Sequence, residues 1–169
     1  MHLLKSVENS VLWLTTPSKK AIKNLQAACE DLGVDSSRLI FAKREAERKD
    51  HLSRLRLADL FLDTPHCNAH ATCADALWAG VPVLTQVGST FAGRVAASQL
   101  QALGMVDCIA ASSEAYTEKA IELALNPGLL QSVRNRLSQN SKTMPLFDSK
   151  LYVRNLENVY HDIVACKAN

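Results

Sequence analysis

Asp63, Thr64, His66, Asn68, His70, Thr72 and Asp75 fall in one short polar segment, and their types suit a phosphorylated ribose. Thr72 offers a hydroxyl to a phosphate oxygen. Asp75, one helical turn further on, offers a carboxylate that can accept hydrogen bonds from both hydroxyls of a ribose diol. The residues that must position them lie on either side. LADLFL before the segment and VPVLT after it are apolar runs of the kind that fill a buried parallel sheet. They read as strands Ala58 to Leu62 and Val83 to Gln86. Between them an Ala-rich helix runs from about His70 to Ala79 and stops at Gly80 and Pro82. In an open α/β sheet, ligands bind at the carboxyl ends of the strands. The free N–H groups and positive dipole end of the next helix draw anions to the same place. The pattern suggests half of a nucleotide-sugar site.

The rest of the chain supplies more elements of the same kind. Met1 to Val7 reads as a short helix, and Val11 to Thr15 as a strand followed by a Thr16-Pro17-Ser18 turn. Ser18 is placed to cap a helix whose apolar positions Ala21, Ile22, Leu25, Ala28 and Leu32 keep helical spacing until Gly33. Strand Leu39 to Ala42 leads into a charged helix from about Glu45 to Leu57, which turns Leu52, Leu55 and His51 toward the sheet. Beyond Gln86, a helix from about Phe91 to Leu103, capped by Ser89 or Thr90, precedes a short strand at Cys108 to Ala110. Helices Ser113 to Leu125, Pro127 to about Gln139 and Ser149 to Ala165 complete the chain. Strict alternation of strands and helices as far as Ala110 predicts an α/β fold. The expected form is a Rossmann-like parallel sheet of five or six strands, with helices on both faces and a helical C-terminus. The last helix is expected to pack across the sheet or to cross toward a second lobe. No repeat, low-complexity segment or linker interrupts residues 1–169, so one domain is expected.

Composition narrows the function. A net charge of +2 gives no concentrated basic surface for nucleic acid or an anionic membrane. No apolar run approaches the roughly 20 residues that span a bilayer, and Lys5 and Glu8 break the N-terminal segment where a signal peptide would be apolar. A cytoplasmic protein is expected. Five scattered cysteines suit reduced thiols better than a disulfide framework. His66, Cys67, His70 and Cys73 bring four possible metal ligands together, but not at the paired separations of structural zinc sites. No metal or other cofactor is expected. There is no G-x-G-x-x-G, no G-x-x-x-x-G-K-[ST] and no G-x-S-x-G. Glu45 and Glu47, set among basic residues, suggest ion pairs rather than catalysis. Arg94 and Gln99 suggest braces that hold their helix against the Gly88 loop, and Trp78 a core residue beneath the site.

The run CNAHATCADALWAGVP, Cys67 to Pro82, resembles the C-N-x-H-x-T-x-x-D-x-L-W-A-G-x-P stretch of the protein O-linked N-acetylglucosamine transferases. These are GT-B enzymes that usually carry tetratricopeptide repeats, of which this chain has none. NSVLWL at Asn9 to Leu14, RLIF at Arg38 to Phe41 and Ala46-x-Arg48-x-x-His51 agree in order and spacing. So do RVAASQL at Arg94 to Leu100 and PLFD at Pro145 to Asp148. The resemblance extends from about Met1 to Ile163 and covers only the C-terminal part of such an enzyme.

The resemblance implies specific roles. His70, Ala71 and Thr72 would hold the diphosphate of a UDP-sugar through backbone N–H groups and the Thr72 hydroxyl, and Asp75 would hold the ribose. A main-chain group of Ala46 would read the uracil edge, while Arg48 and His51 pack around base and sugar. Two positions depart from the family. Ala71 stands where Thr is common, which removes a hydroxyl, and Arg48 stands where Lys is usual, which changes the donor geometry. The implied function is the UDP-sugar-binding half of a transferase that moves N-acetylglucosamine from UDP-GlcNAc to Ser or Thr of proteins. The acceptor-binding N-terminal half and the groups that act on acceptor and diphosphate would precede Met1. No catalytic residue is therefore expected here, and the chain alone is expected to be inactive. Its partners would be a UDP-sugar, that missing half and a protein acceptor. The alternatives are a stand-alone nucleotide-binding or protein-interaction module, or a related transferase that uses another UDP-sugar.

Overall fold

The computed structural model describes residues 1–167. A short helix α1 (His2–Ser6) precedes strand β1 (Leu12–Thr15), helix α2 (Lys19–Asp31), strand β2 (Leu39–Ala42) and helix α3 (Arg48–Leu55). Strand β3 (Phe61–Leu62), helix α4 (Ala71–Trp78), strand β4 (Val83–Gln86), helix α5 (Val95–Ala102) and strand β5 (Ile109–Ala110) follow. Helices α6 (Ser113–Leu125), α7 (Pro127–Thr143) and α8 (Ser149–Lys167) close the chain.

Every strand pairing among the described residues is parallel, and the strands are flanked by helices as expected. The five strands fall into two hydrogen-bonded groups, β1 with β2 and β3-β4-β5, where one continuous ladder was expected. β1 and β2 pair from Leu12 opposite Leu39 to Thr15 opposite Ala42. In the second group Phe61 lies opposite Val83, and Thr85 opposite Ile109. Helices α4, α5 and α6 all pack on β4, and α1 packs on α6.

Several elements are shorter than expected, each for a local reason. β3 covers Phe61–Leu62 and not Ala58 to Leu62, because the Ala58 N–H is taken by the Leu55 carbonyl at the end of α3. α3 begins at Arg48, after a loop in which Arg54 binds the Lys43 carbonyl and the Glu45 carboxylate. α5 begins at Val95 because residues 88–93 close a loop, with Gly88 N–H donating to the Gly93 carbonyl at 2.7 Å. Thr90 therefore caps no helix, and its hydroxyl accepts from Gly93 N–H instead. Ser18 does cap α2, accepting from Ala21 N–H. Helix α8 is exposed along most of its described length, so it does not pack across the sheet. Tyr152, Val153, Val159, Tyr160, Ile163 and Val164 all face solvent. No described helix is long and apolar enough to cross a membrane.

Candidate functional site

The carboxyl end of β3 leads into a loop, residues 63–70, that delivers the chain to the start of α4. His70 is the N-cap residue of α4, and no side chain caps this end. The first N–H groups of the helix, at Ala71, Thr72 and Cys73, thus remain available. Neither Asn68 nor Thr72, the two residue types suited to capping here, performs that role. Asn68 is buried and ties the loop together instead. Its amide donates to the Thr64 carbonyl at 2.9 Å and accepts from Ala96 N–H at the start of α5. His70 is exposed, its ring set edge-on to Phe91 at 6.2 Å, and its carbonyl accepts from the Gln99 side chain at 3.1 Å. Gln99 and α5 therefore brace the α4 start, whereas Gln99 was expected to hold its helix against the Gly88 loop.

The loop is anchored from below by Asp63, which is only 3% exposed. Four partners occupy its four polar groups. Its N–H donates to the Leu84 carbonyl at 3.0 Å, and its carbonyl accepts from the Tyr116 hydroxyl at 2.9 Å. One carboxylate oxygen accepts from Ala69 N–H at 2.6 Å and the other from the Thr85 hydroxyl at 2.5 Å. A buried carboxylate is costly unless it is hydrogen-bonded, and here both oxygens are. Burial pushes the Cys73 thiol up to about 12, with the Asp63 charge adding to it. The Tyr116 hydroxyl is raised by the same two causes in the same order. Sequence reading placed Asp63 in the polar segment without giving it a role. The available signal was a carboxylate at a strand's carboxyl end, one strand away from Thr85.

The two clusters expected from the sequence meet across α3 and α4. Arg48 Nη2 lies 2.8 Å from Asp75 Oδ1, and His51 Nε2 lies 3.9 Å from Asp75 Oδ2. The Asp75 side chain is 18% exposed, whereas that of Arg48 is 77% exposed. Ala46, Ala71 and Thr72 are exposed nearby in sequence, Ala46 in the loop before α3 and the other two in the first turn of α4. Arg54 supports the α3 side. Besides Glu45, it faces the Trp13 ring on β1 with 5.6 Å between guanidinium carbon and ring centroid. Glu45 is thus ion-paired, as its basic surroundings suggested.

One other expectation is overturned. Trp78 is 60% exposed and not a core residue. The buried face of α4 carries Cys73, Ala76 and Leu77, so Trp78 turns outward and meets Phe147 edge-on at 5.1 Å. His66, Cys67, His70 and Cys73 do not gather as a ligand set. Cys73 is fully buried and the other three are exposed, and no described group of three His, Cys, Asp or Glu could hold a metal.

Parallel strands flanked by helices, a bare helix start at a strand's carboxyl end and a helical C-terminus make this a Rossmann-like α/β unit. The model of glycosyl transferase family 41 matches residues 1–156, and the chain belongs to that family. It is 41% identical over 160 residues to the probable UDP-N-acetylglucosamine–peptide N-acetylglucosaminyltransferase SEC of Arabidopsis thaliana, covering 94% of this chain and 16% of that protein. The UDP-N-acetylglucosamine–peptide N-acetylglucosaminyltransferase of Caenorhabditis elegans is 34% identical, with 94% of this chain and 14% of that protein covered. A solved structure of a mutant O-GlcNAc transferase from Thermobaculum terrenum superposes with a TM-score of 0.89 at 27% identity, covering 98% of this chain and 33% of that one. The chain thus spans a small part of the length of the relatives it matches.

Proposed function

We propose that this chain is the UDP-sugar-holding domain of a transferase that moves N-acetylglucosamine from UDP-GlcNAc to Ser or Thr of proteins. The observation that carries the proposal is the meeting of Arg48 and His51 with Asp75 beside the uncapped start of α4. Membership of family 41 and the names of the relatives support the choice of donor and acceptor. In this reading Asp75 accepts from the ribose hydroxyls, and Ala71 and Thr72, with the His70 turn, hold the diphosphate. Ala46, Arg48 and His51 hold the uridine from the α3 side. Residues 1–169 form a single nucleotide-sugar-binding domain of a cytoplasmic protein, and neither metal nor other cofactor takes part.

The chemistry assigned to this domain is electrostatic. Negative charge develops on the diphosphate as it leaves, and the α4 start stabilises it. The dipole contributes about 0.3–1 kcal/mol at an exposed end and up to about 2 kcal/mol when partly buried. Holding donor and acceptor in register accounts for a larger share, roughly 7–11 kcal/mol in favourable cases, and depends on a second lobe facing this one. The chain alone therefore binds UDP without transferring sugar. Calorimetric titration with UDP, UDP-GlcNAc and GDP, with a radiolabelled transfer assay alongside, tests this. Binding of both uridine nucleotides with little of GDP, and no transfer without a second lobe, is the expected result. Sugar transfer by the chain alone would refute the half-enzyme reading. Equal binding of GDP would favour a general nucleotide-binding module.

A further inference from the structure

We infer that Asp63 is a positioning residue: with Thr85 and Gln99 it fixes the backbone at residues 69–70 so that the α4 start is set for the diphosphate before any ligand arrives. This rests on the proposed reading of the α4 start as the diphosphate site. Three hydrogen bonds carry the inference. The Asp63 carboxylate takes Ala69 N–H at 2.6 Å and is itself steadied by the Thr85 hydroxyl at 2.5 Å. From the other side, Gln99 Nε2 holds the His70 carbonyl at 3.1 Å. The two residues that precede the free N–H groups are therefore pinned by side chains from the start of their own loop, just after β3, and from α5, which is distant in sequence. Asn68 adds a tie one residue earlier, through Ala92 and Ala96.

The choice of a carboxylate needs explanation, because a buried negative charge near an anion site works against anion binding. Asp63 has two acceptor oxygens on one rigid plane, which lets it bind a backbone N–H and a neighbouring strand's hydroxyl at once. Hydrogen bonds to an ionised acceptor are also about twice as strong as neutral ones. What it supplies is a loop that does not have to be ordered when ligand binds, which lowers the entropic cost of binding. Asn is a close substitute. Its carbonyl oxygen can accept from Ala69, and its amide can donate to Thr85 if that hydroxyl turns to accept.

The test is calorimetric titration of the 169-residue chain and its variants with UDP and, separately, with uridine. Uridine lacks the diphosphate, so it reports the α3 side and Asp75 without the α4 start. Asp63→Ala is expected to weaken UDP about tenfold while uridine changes by less than about twofold, since hydrogen bonds to a charged acceptor are lost only beneath the diphosphate. Asp63→Asn is expected to recover UDP affinity to within about threefold of the unaltered chain. Gln99→Met, at a half-exposed position, is expected to weaken UDP about threefold and leave uridine unchanged. It decides the matter if Asp63→Ala does not fold. Equal loss of UDP and uridine in these variants, or no loss of either, would overturn the positioning role. Thr72→Ala and Asp75→Ala are run alongside. If both leave UDP affinity unchanged, the site reading itself fails, an outcome separate from failure of the Asp63 role.

Discussion

Strands β3, β4 and β5 rest on a core of thirteen buried residues from Cys73 to Leu137, whereas β1 and β2 share a cluster of four: Leu4, Cys29, Val34 and Leu39. The contrast extends to the two helices that meet at the site. α4 buries Cys73, Ala76 and Leu77, while α3 has no buried residue. The proposed diphosphate and ribose contacts therefore come from a well-packed element, locked further by Asp63 and Gln99. The proposed uridine contacts come from a thinly packed one. On the proposed reading, one side of the ligand would meet a preformed surface, and the other side chains such as Arg48 that solvent still reaches. Local stability in a protein follows such differences in buried contact.

Truncation in the larger core should show the biggest effect. Leu77→Ala is expected to cost about 2–5 kcal/mol of stability, and Leu39→Ala to fall near the bottom of that range because its small cluster can collapse around the gap. Urea unfolding of the two variants measures this. A larger loss from Leu39→Ala would reverse the assignment of firm and soft halves.

Asp75→Ala comes next. Each ribose hydrogen bond to a charged acceptor is worth about 1.5–3 kcal/mol, so UDP affinity should fall at least about tenfold with the fold intact. Calorimetry on the folded variant checks it, and unchanged affinity would remove Asp75 from the site.

The buried thiols of the firm half give a pH signature. Burial raises Cys73 from 9.0 to about 12 and Cys108 from 9.0 to about 11. Above pH 9.0 the unfolded chain releases these protons while the folded chain keeps them, so the unfolded state binds fewer protons and stability falls as pH rises. Below that value the two thiols contribute no slope. The urea midpoint should be the same at about pH 7 and about pH 8, and lower at about pH 10. At neutral pH iodoacetamide should label exposed Cys67 and Cys166 and spare Cys29, Cys73 and Cys108 until the chain unfolds. Rapid labelling of Cys73 in the folded chain would show that α4 is looser than its packing indicates.

Arg48→Met should have the smallest effect. An ion pair with one partner this exposed is worth about 0–1 kcal/mol, so the unfolding midpoint should barely move. UDP affinity should decline modestly and lose part of its dependence on salt. A loss of stability comparable to Leu77→Ala would show that the α3 side is as firm as the other.

Much of this arrangement was legible in the sequence where the pattern was local. Leu39–Ala42, Val83–Gln86 and Ser113–Leu125 have the bounds that their apolar runs and flanking turn residues indicate. Ser18 caps α2 because a Ser before a helical period seldom has a better use. Thr72, Asp75, Arg48 and His51 stood out through spacing and resemblance, and the structure brings Arg48 and His51 to Asp75. What was not legible depends on contacts between distant segments. Asp63 reaches Thr85 only through the register of β3 on β4, and Gln99 reaches His70 only through the packing of α5 on α4. Trp78 was misread because its size suggested a core, when the residues buried on α4 are its small ones and Leu77. The helix from Phe91 started late because the Gly88 to Gly93 closure is invisible to periodicity.

The most direct test of the nucleotide site is amide mapping by NMR as UDP is added to the chain. The expected result is a set of shifts concentrated at Ala71, Thr72 and Cys73, with Asp75, Ala46 and His51 moving in the same titration. The amides of α8 should stay still. Saturable binding that moves α7 or α8 and leaves the amides of Ala71, Thr72 and Cys73 unchanged would contradict the proposed site.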